Sequence, residues 1–359
     1  MQVPPSIKWV VVLIGISLIF FIFSIGSNVV IPVFIALLFS LLMLPFCKWM
    51  ERKGLSRGAA SFFSVLAMIF IVLGLVFFII WQIDRLAQDM YQVEQQFQKF
   101  VTQVQLFLER NFEIDREQQQ EFLDDIRESS NGMFENVMSM TSSLLIASIL
   151  IPMSMFFMLF YRKNYETFLY KLFPKEQHKQ LDKVILNEKK IVFQYITGIF
   201  TVVLILAICN YIALSIFGVD QALLFAVIAA LLNIIPLVGT FIGSILPVAY
   251  TLIMEDSIFL PLGIALYFWI IQILESNIIT PNIVGDRVRI NPYAIILAIF
   301  IGGEVWGPAG MVLFIPMLAI LKVVFKLSDS LEPYGYLLSD PNGDEESLFQ
   351  KLKRKIKGK

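Results

Sequence analysis

Two carboxylates, Glu275 and Glu304, lie inside the apolar stretches of the C-terminal half of the chain. A charged side chain at the centre of a bilayer costs about 2.5–3.5 kcal/mol on insertion scales, so it marks a solute or ion pathway by default. A structural role is the alternative for each. Glu275 would then pair with Arg287 or Arg289 near the membrane interface, and a helix N-terminus would stabilise Glu304.

Amide and hydroxyl side chains surround Glu275 in the sequence. Gln272 and Glu275 are expected to share one helix face, while Asn277 and Thr280 lie near the helix end that Pro281 imposes. Such groups can hydrogen-bond a small polyol or coordinate a cation. The sequence therefore predicts that this segment contributes to a pathway for a small polar solute, with H⁺ or Na⁺ as the ions it would carry.

The composition requires a lipid environment for the elements that hold these side chains. Of 359 residues, 57% are hydrophobic and 16% are charged, whereas a soluble domain carries about 25% charged residues. This excludes a soluble enzyme, a nucleic-acid-binding protein and a disordered scaffold. Two cysteines and one histidine, His178, offer neither a disulfide framework nor a zinc site. We expect no catalytic residue, no metal and no cofactor, and the absence of a Walker motif argues against direct drive by ATP.

Charge-free runs of about 20 residues or more predict an all-α, polytopic helical membrane protein with six to eight spans. The first two spans are separated at Ser27 and Asn28, with Pro32 opening the second of them. The predicted divisions are transmembrane helices 1–3 in residues 1–83, an insert in 84–136, helix 4 in 137–161, an amphipathic loop in 162–190, a motif-rich transport region in 191–327 and a basic tail in 328–359.

Lysine and arginine content predicts the orientation of the loops. Residues 162–190 carry eight Lys or Arg against four acids, which places this loop in the cytoplasm of a bacterial inner membrane. Residues 84–136 carry twelve acids against five Lys or Arg, so the insert is expected outside. Both termini then lie in the cytoplasm, where the basic tail faces the anionic inner leaflet.

Two long apolar stretches of the C-terminal half, near 221–254 and 293–325, are interrupted by proline and glycine. A helix of 34 residues would extend about 50 Å, beyond a hydrocarbon core of about 30 Å, yet two crossings need about 40 residues. Broken or re-entrant hairpins fit these lengths, and entry from opposite faces would give an inverted repeat of the kind found in carriers. The alternative is that each stretch is one full span, which gives eight spans in all. The interrupting residues are Asn233, Pro236, Gly239 and Gly243 in the first stretch, and Gly302, Gly303, Gly307 and Gly310 in the second.

The insert contains an apolar seam with heptad spacing. This pattern predicts either an antiparallel helical hairpin within one subunit or a seam between subunits of a homo-oligomer. The seam residues include Met90, Val93, Phe97, Phe100 and Val104.

These motifs together resemble the autoinducer-2 exporter (AI-2E) family over nearly the whole chain. The resemblance implies a fold with a motif-rich C-terminal half and export of a furanosyl signal, while some relatives are associated with sodium/proton antiport. Asn291 stands where many members carry His, so no His-based proton step is implied. The matching positions are Asn233, Pro236, Gly239, Gly243 and Pro247; Gln272, Glu275, Asn277, Pro281 and Gly285; Asn291 and Pro292; and Gly302, Gly303, Glu304, Gly307, Gly310 and Pro316.

Three functions follow as hypotheses. The first is a secondary carrier that exports a small polar metabolite, driven by the proton gradient through Glu275 or Glu304. The second is a sodium/proton antiporter, and the third is a non-transporting membrane scaffold built on the insert. Apart from the lipid bilayer and the transported species, the expected partner is a second copy of the chain, with no nucleic acid. The interior amides that would serve the first two are Gln194, Asn210, Asn233, Gln272, Asn277 and Asn282.

Overall fold

The computed structural model describes residues 14–15, 17–18, 20–88, 90–112, 141–172, 178–235, 238–255, 257–283, 290–326 and 331–339. Within these residues the chain is helical, with an isolated antiparallel bridge between Ile290 and Ser339. The helices are α1 (Ser27–Arg52), α2 (Arg57–Gln88), α3 (Met90–Phe112), α4 (Thr141–Phe160), α5 (Arg162–Leu172), α6 (His178–Ile216), α7 (Ala222–Leu232), α8 (Val238–Met254), α9 (Phe259–Leu274), a π-helix (Glu275–Ile279), α10 (Thr280–Ile283), α11 (Pro292–Lys326) and α12 (Glu332–Leu337).

Five of the described helices are long and apolar enough to cross a membrane, and α4 with α5, bent by 65° at their junction, makes a sixth if the pair is one span. The five lie at Ser27–Arg52, Arg57–Leu86, Ile196–Ile216, Phe259–Ile283 and Pro292–Lys322. Large apolar side chains on these helices are widely exposed, as expected where a helix faces lipid rather than water. The prediction of an all-α, polytopic membrane protein is confirmed.

The N-terminal helices α1, α2 and α4 pack around one core. Buried Ala36, Cys47, Ala60 and Met155 bring the three helices together. The predicted break before the second helix lies at Gly26, one residue ahead of Ser27. Pro32, however, lies inside α1 instead of opening it. The prediction for Pro32 was wrong, because the backbone is already helical from Ser27.

An ion pair joins α1 to the start of α5. The Arg162 guanidinium donates to the Glu51 carboxylate, with 19% and 23% of the two side chains exposed. Burial lowers the pKa of Arg162, but the hydrogen bonds and charges of Glu51 and Cys47 together raise it by more, so the pKa lies above its usual value. The contact fixes the α4–α5 bend against α1.

A second core holds α6, α7 and α9 together with α8. Leu214, Ala226, Ile264 and Phe268 are buried in it. Because α7 has 11 residues and α8 has 17, they extend about 16 Å and 25 Å, short of a hydrocarbon core of about 30 Å. The first apolar stretch is therefore a broken hairpin.

Glycines allow the two arms of this hairpin to touch. A Cβ at Gly239 would overlap the carbonyl oxygen of Leu232, and a Cβ at Gly243 would lie 2.8 Å from the Cα of Ala229. Both glycines are buried. They permit backbone contact across the hairpin, the role that small residues have between membrane helices.

The second apolar stretch also reverses direction, within α11. Gly307 has φ of 59° and ψ of −142°, a conformation that favours glycine. Residues eight apart on a straight helix are separated by about 12 Å, yet a Cβ on Gly302 would overlap the Gly310 carbonyl. Although α11 is long enough for a span, it forms two arms, and the prediction of a second broken hairpin is confirmed.

The insert helix α3 packs beside α8 of the first hairpin. On the predicted seam, Val93 and Phe100 are half-buried, whereas Phe97 and Val104 are exposed. The side chain of Met90 and residues 113–140, which include the rest of the insert, lie outside what the structure describes. The choice between an intramolecular hairpin and a subunit seam stays open.

Candidate functional site

A small polar cavity lies between α6, α9 and the two arms of the first hairpin. Its volume is about 10 Å³, which is room for about one water molecule. Its apolar walls come from Leu206, Ala229, Phe268 and Ile271, and its polar groups are Asn210, Asn233, Thr240, Gln272 and Glu275.

Glu275 is the carboxylate of this cavity, and its position depends on the π-helix. One carboxylate oxygen accepts a hydrogen bond from the Thr280 hydroxyl, and the other accepts one from the Gln272 amide at 3.2 Å. Thr280 would point away from Glu275 on an α-helix, where five residues turn about 500°. The i→i+5 bonding of a π-helix instead places the two residues nearly in line.

Pro281 does not end the helix as predicted. The backbone passes from α9 through the π-helix and α10 to Ile283. Proline lacks an N–H, so the α-helical hydrogen bond to the carbonyl of Asn277 is absent. The wider π register accommodates this loss without ending the helix, which explains why the prediction was wrong.

Asn233 reaches the cavity from the break between α7 and α8. Its side-chain oxygen accepts a hydrogen bond from the Thr240 hydroxyl on the opposite arm. The two residues lie equally far from the centre of the hairpin, so chain reversal brings them face to face. This hydrogen bond ties the broken backbone to the wall of the cavity.

Asn210 supplies the third amide, from α6. It is 4% exposed, and its side-chain oxygen accepts a hydrogen bond of 3.0 Å from the Tyr267 hydroxyl on α9. A buried amide held in this way is fixed in orientation. Tyr267 therefore positions Asn210 toward the cavity.

Together the cavity offers one carboxylate, three amides and one hydroxyl to anything that enters it. Oxygen groups of this kind bind hard cations, accept hydrogen bonds from solute hydroxyls or hold a proton. In secondary carriers, substrates and coupling ions commonly bind where broken helices meet at the interface between structural repeats.

The structure brings together three of the predicted pathway residues, Asn233, Gln272 and Glu275. Glu304 is exposed near the turn of the second hairpin, away from the cavity lining, so the two carboxylates do not form one site. The others fall into three groups. Asn277 and Pro281 are exposed, and Gly239, Gly243, Gly302 and Gly310 form the contacts within the hairpins, whereas Pro236, Arg287 and Arg289 lie outside the described residues.

The sequence analysis missed Thr240, which lines the cavity, and Tyr267, which holds Asn210 in place, and it named Asn210 only among the interior amides. Symmetry about the peptide bond between Pro236 and Leu237 was the signal for Thr240, because a hairpin centred there pairs residue 240 with Asn233. Tyr267 had no comparable signal, since its contact joins α6 and α9 across 57 residues.

Comparison with known proteins finds relatives that are named as transport proteins. YrrI of Bacillus subtilis, named as a candidate transport protein, is 27% identical over 310 residues, covering 83% of this chain and 86% of that protein. YhhT of Escherichia coli, named in the same way, is 23% identical over 300 residues, covering 83% and 84%. The AI-2 transport protein TqsA of Escherichia coli is 29% identical over 129 residues, covering 36% and 37%.

A family model described as "AI-2E family transporter" matches residues 10–328. The chain therefore belongs to the AI-2E transporter family, and the resemblance noted in the sequence is confirmed.

Proposed function

We propose that this member of the AI-2E transporter family is a secondary carrier that exports a small polar metabolite in exchange for protons. The observation that carries the proposal is Glu275, set among amides and a hydroxyl in a cavity beside a broken hairpin. An ionisable group within membrane helices marks a solute or proton pathway.

The size of the cavity bears on the transport cycle. With a volume of about 10 Å³, it holds about one water and excludes a furanosyl polyol. The structure therefore represents a closed arrangement with respect to such a solute. Access requires that α7 and α8 separate from α9, and the packing of α8 against α9 is what such a motion changes.

Glu275 couples solute export to proton entry because the solute and the proton compete for its carboxylate. As a carboxylate it accepts hydrogen bonds from the hydroxyl groups of a solute on the cytoplasmic side. On the outer side a proton displaces the solute, and the neutral carboxyl group returns through the closed state at a lower desolvation cost than the charged form. One proton enters the cell for each solute that leaves by this route.

The proposed solute class rests on a relative whose name states the solute that it transports. TqsA is named an AI-2 transport protein, and the cavity groups that we find here are suited to a polyol of that kind. In this proposal the chain lies in the bacterial inner membrane, with both termini in the cytoplasm and residues 84–136 outside.

Reconstituted full-length protein tests the proposal. Proteoliposomes with an imposed pH gradient should accumulate labelled AI-2, and Glu275→Gln should lower the rate at least tenfold. Glu94→Gln, on the exposed face of α3, is the matched control and should transport like the wild type. Glu304→Gln tests the second carboxylate, and we expect this variant to transport at the wild-type rate. Unchanged transport by Glu275→Gln would overturn the role of this side chain.

Sodium/proton antiport is the second candidate, and the small volume of the closed cavity favours it. A dehydrated cation fits where a polyol does not, and the carboxylate and amide oxygens are hard ligands. This function predicts sodium-dependent dequenching of a pH-sensitive dye in proteoliposomes that contain no organic solute. A pH response that requires AI-2 would instead support export.

A further inference from the structure

A second, larger cavity lies between α1, α4 and α5. Its volume is about 550 Å³, within the range of about 300–1,000 Å³ usual for small-molecule sites. None of its lining residues belongs to the carrier site described above.

One wall of this groove is a stripe along α1. Leu37, Leu41, Leu44 and Lys48 follow one another at spacings of four, three and four, which places them on one helix face. The stripe extends about 16 Å from the first leucine to the lysine. Met158 of α4 contributes to the facing wall. The groove is thus apolar along its length and cationic at one end.

The cationic end is formed by Lys48, Arg162 and Lys163. Arg162 is paired with Glu51, whereas neither lysine forms an ion pair with a residue that the structure describes. Glu166 is the acidic side chain of the lining. The balance of charge at this end is positive and suits an anion.

An open basin of about 530 Å³ adjoins the cationic end and shares Lys48 and Arg162 with it. Glu51 also lines this basin, and its Oε1 atom is buried without a hydrogen-bond partner among the described residues. A buried acceptor without a donor costs about 1–3 kcal/mol. A donor in the basin reaches this oxygen once the Glu51 side chain turns toward the opening, so the basin suits a headgroup that carries both a negative charge and a hydrogen-bond donor.

We propose that this groove binds one phosphatidylglycerol molecule from the cytoplasmic leaflet. An acyl chain lies along Leu37, Leu41 and Leu44, the phosphate lies between Lys48 and Lys163, and a glycerol hydroxyl donates to Glu51. Basic pockets between membrane helices on the cytoplasmic side are a known setting for anionic headgroups. The proposal is independent of the carrier site and of its substrate.

Native mass spectrometry of the full-length protein, delipidated in detergent and titrated with defined lipids, tests this site. We expect phosphatidylglycerol to bind at least tenfold more tightly than phosphatidylcholine. It should also bind more tightly than phosphatidylmethanol, which has the same charge but no headgroup hydroxyl. Equal binding of phosphatidylcholine would overturn the site, and equal binding of phosphatidylmethanol would overturn the assignment of phosphatidylglycerol.

Two variants locate the binding on the protein. Lys48→Gln with Lys163→Gln should weaken phosphatidylglycerol binding at least fivefold, whereas Lys99→Gln with Lys171→Gln, two exposed lysines outside the groove, should not. Leu41→Trp fills the apolar part without changing charge and should also weaken binding. Retained melting temperatures establish that the variants are folded. A change in oligomeric state with unchanged lipid binding would show that a second copy occupies the groove, against the proposal.

Discussion

The Thr280 hydroxyl donates a hydrogen bond to the Glu275 carboxylate, and the π-helix at Glu275–Ile279 is what brings the two residues together. Single π-turns inside α-helices frequently occur at functional sites. Here the altered register adds a donor to the carboxylate at the cavity. The irregular backbone and the carboxylate therefore form one unit.

Replacing Thr280 tests this unit. Thr280→Val keeps the shape of the side chain but removes the donor, and a hydrogen bond to a charged group is worth about 1.5–3 kcal/mol. In the proposed carrier we expect transport to fall about tenfold or more. Proteoliposome uptake measures the effect, and Thr280→Ser, which retains a hydroxyl, should keep most of the activity. Equal loss in both variants would contradict the role of the hydrogen bond.

The backbone contact at Gly243 provides a prediction about stability. Gly243→Ala would place a methyl group 2.8 Å from the Cα of Ala229, and overpacking of this kind costs about 1–3 kcal/mol. We expect a lower melting temperature in detergent.

Gly74→Ala is the matched control for this prediction, because Gly74 lies within α2 and nothing is within 4 Å of the added atom. Alanine is favoured over glycine in a helix by about 1 kcal/mol, so this variant should be as stable as the wild type or more so. If both variants melt alike, close packing of the hairpin does not limit stability.

The two broken hairpins could be predicted from the sequence because their signals are local. Proline and glycine within residues 233–239 and within residues 302–310 interrupt stretches that are too long for one span and too short for two. The structure places the reversals at these interruptions. Length and backbone chemistry are sufficient here, since no distant contact is needed to forbid a straight helix.

The composition of the cavity could be predicted only in part. Glu275 and Gln272 are neighbours along one helix, but Asn210 and Thr240 join them through contacts between α6, α8 and α9. The π register at Glu275 is likewise not encoded by apolar periodicity. For the same reason the sequence offered Glu304 and Glu275 alike as candidate pathway residues, although the structure places Glu304 on an exposed surface.

The ion pair between Glu51 and Arg162 predicts coupled effects of mutation. Either Glu51→Gln or Arg162→Gln leaves a partly buried charge without its partner, and we expect the free energy of unfolding to fall by about 1–3 kcal/mol. The double variant should lose less than the sum of the two, because it leaves no unpaired charge. A double-mutant cycle on melting in detergent measures this coupling. Additive losses would show that the pair contributes no net stability.

Trp306 connects the second hairpin to the segment that precedes α1, and this contact gives the last prediction. Its indole N–H donates a hydrogen bond of 2.9 Å to the backbone carbonyl of Phe23, and its ring stacks on that of Phe23 at 5.8 Å. The carbonyl lies just before the Gly26 turn, where helix carbonyls lack donors within the helix. Trp306→Phe keeps an aromatic ring but removes the donor, so we expect a loss of about 1–2 kcal/mol in the free energy of unfolding. Trp269→Phe is the control because Trp269 is 64% exposed, and its substitution should leave melting nearly unchanged; equal effects at the two positions would refute the role of the hydrogen bond.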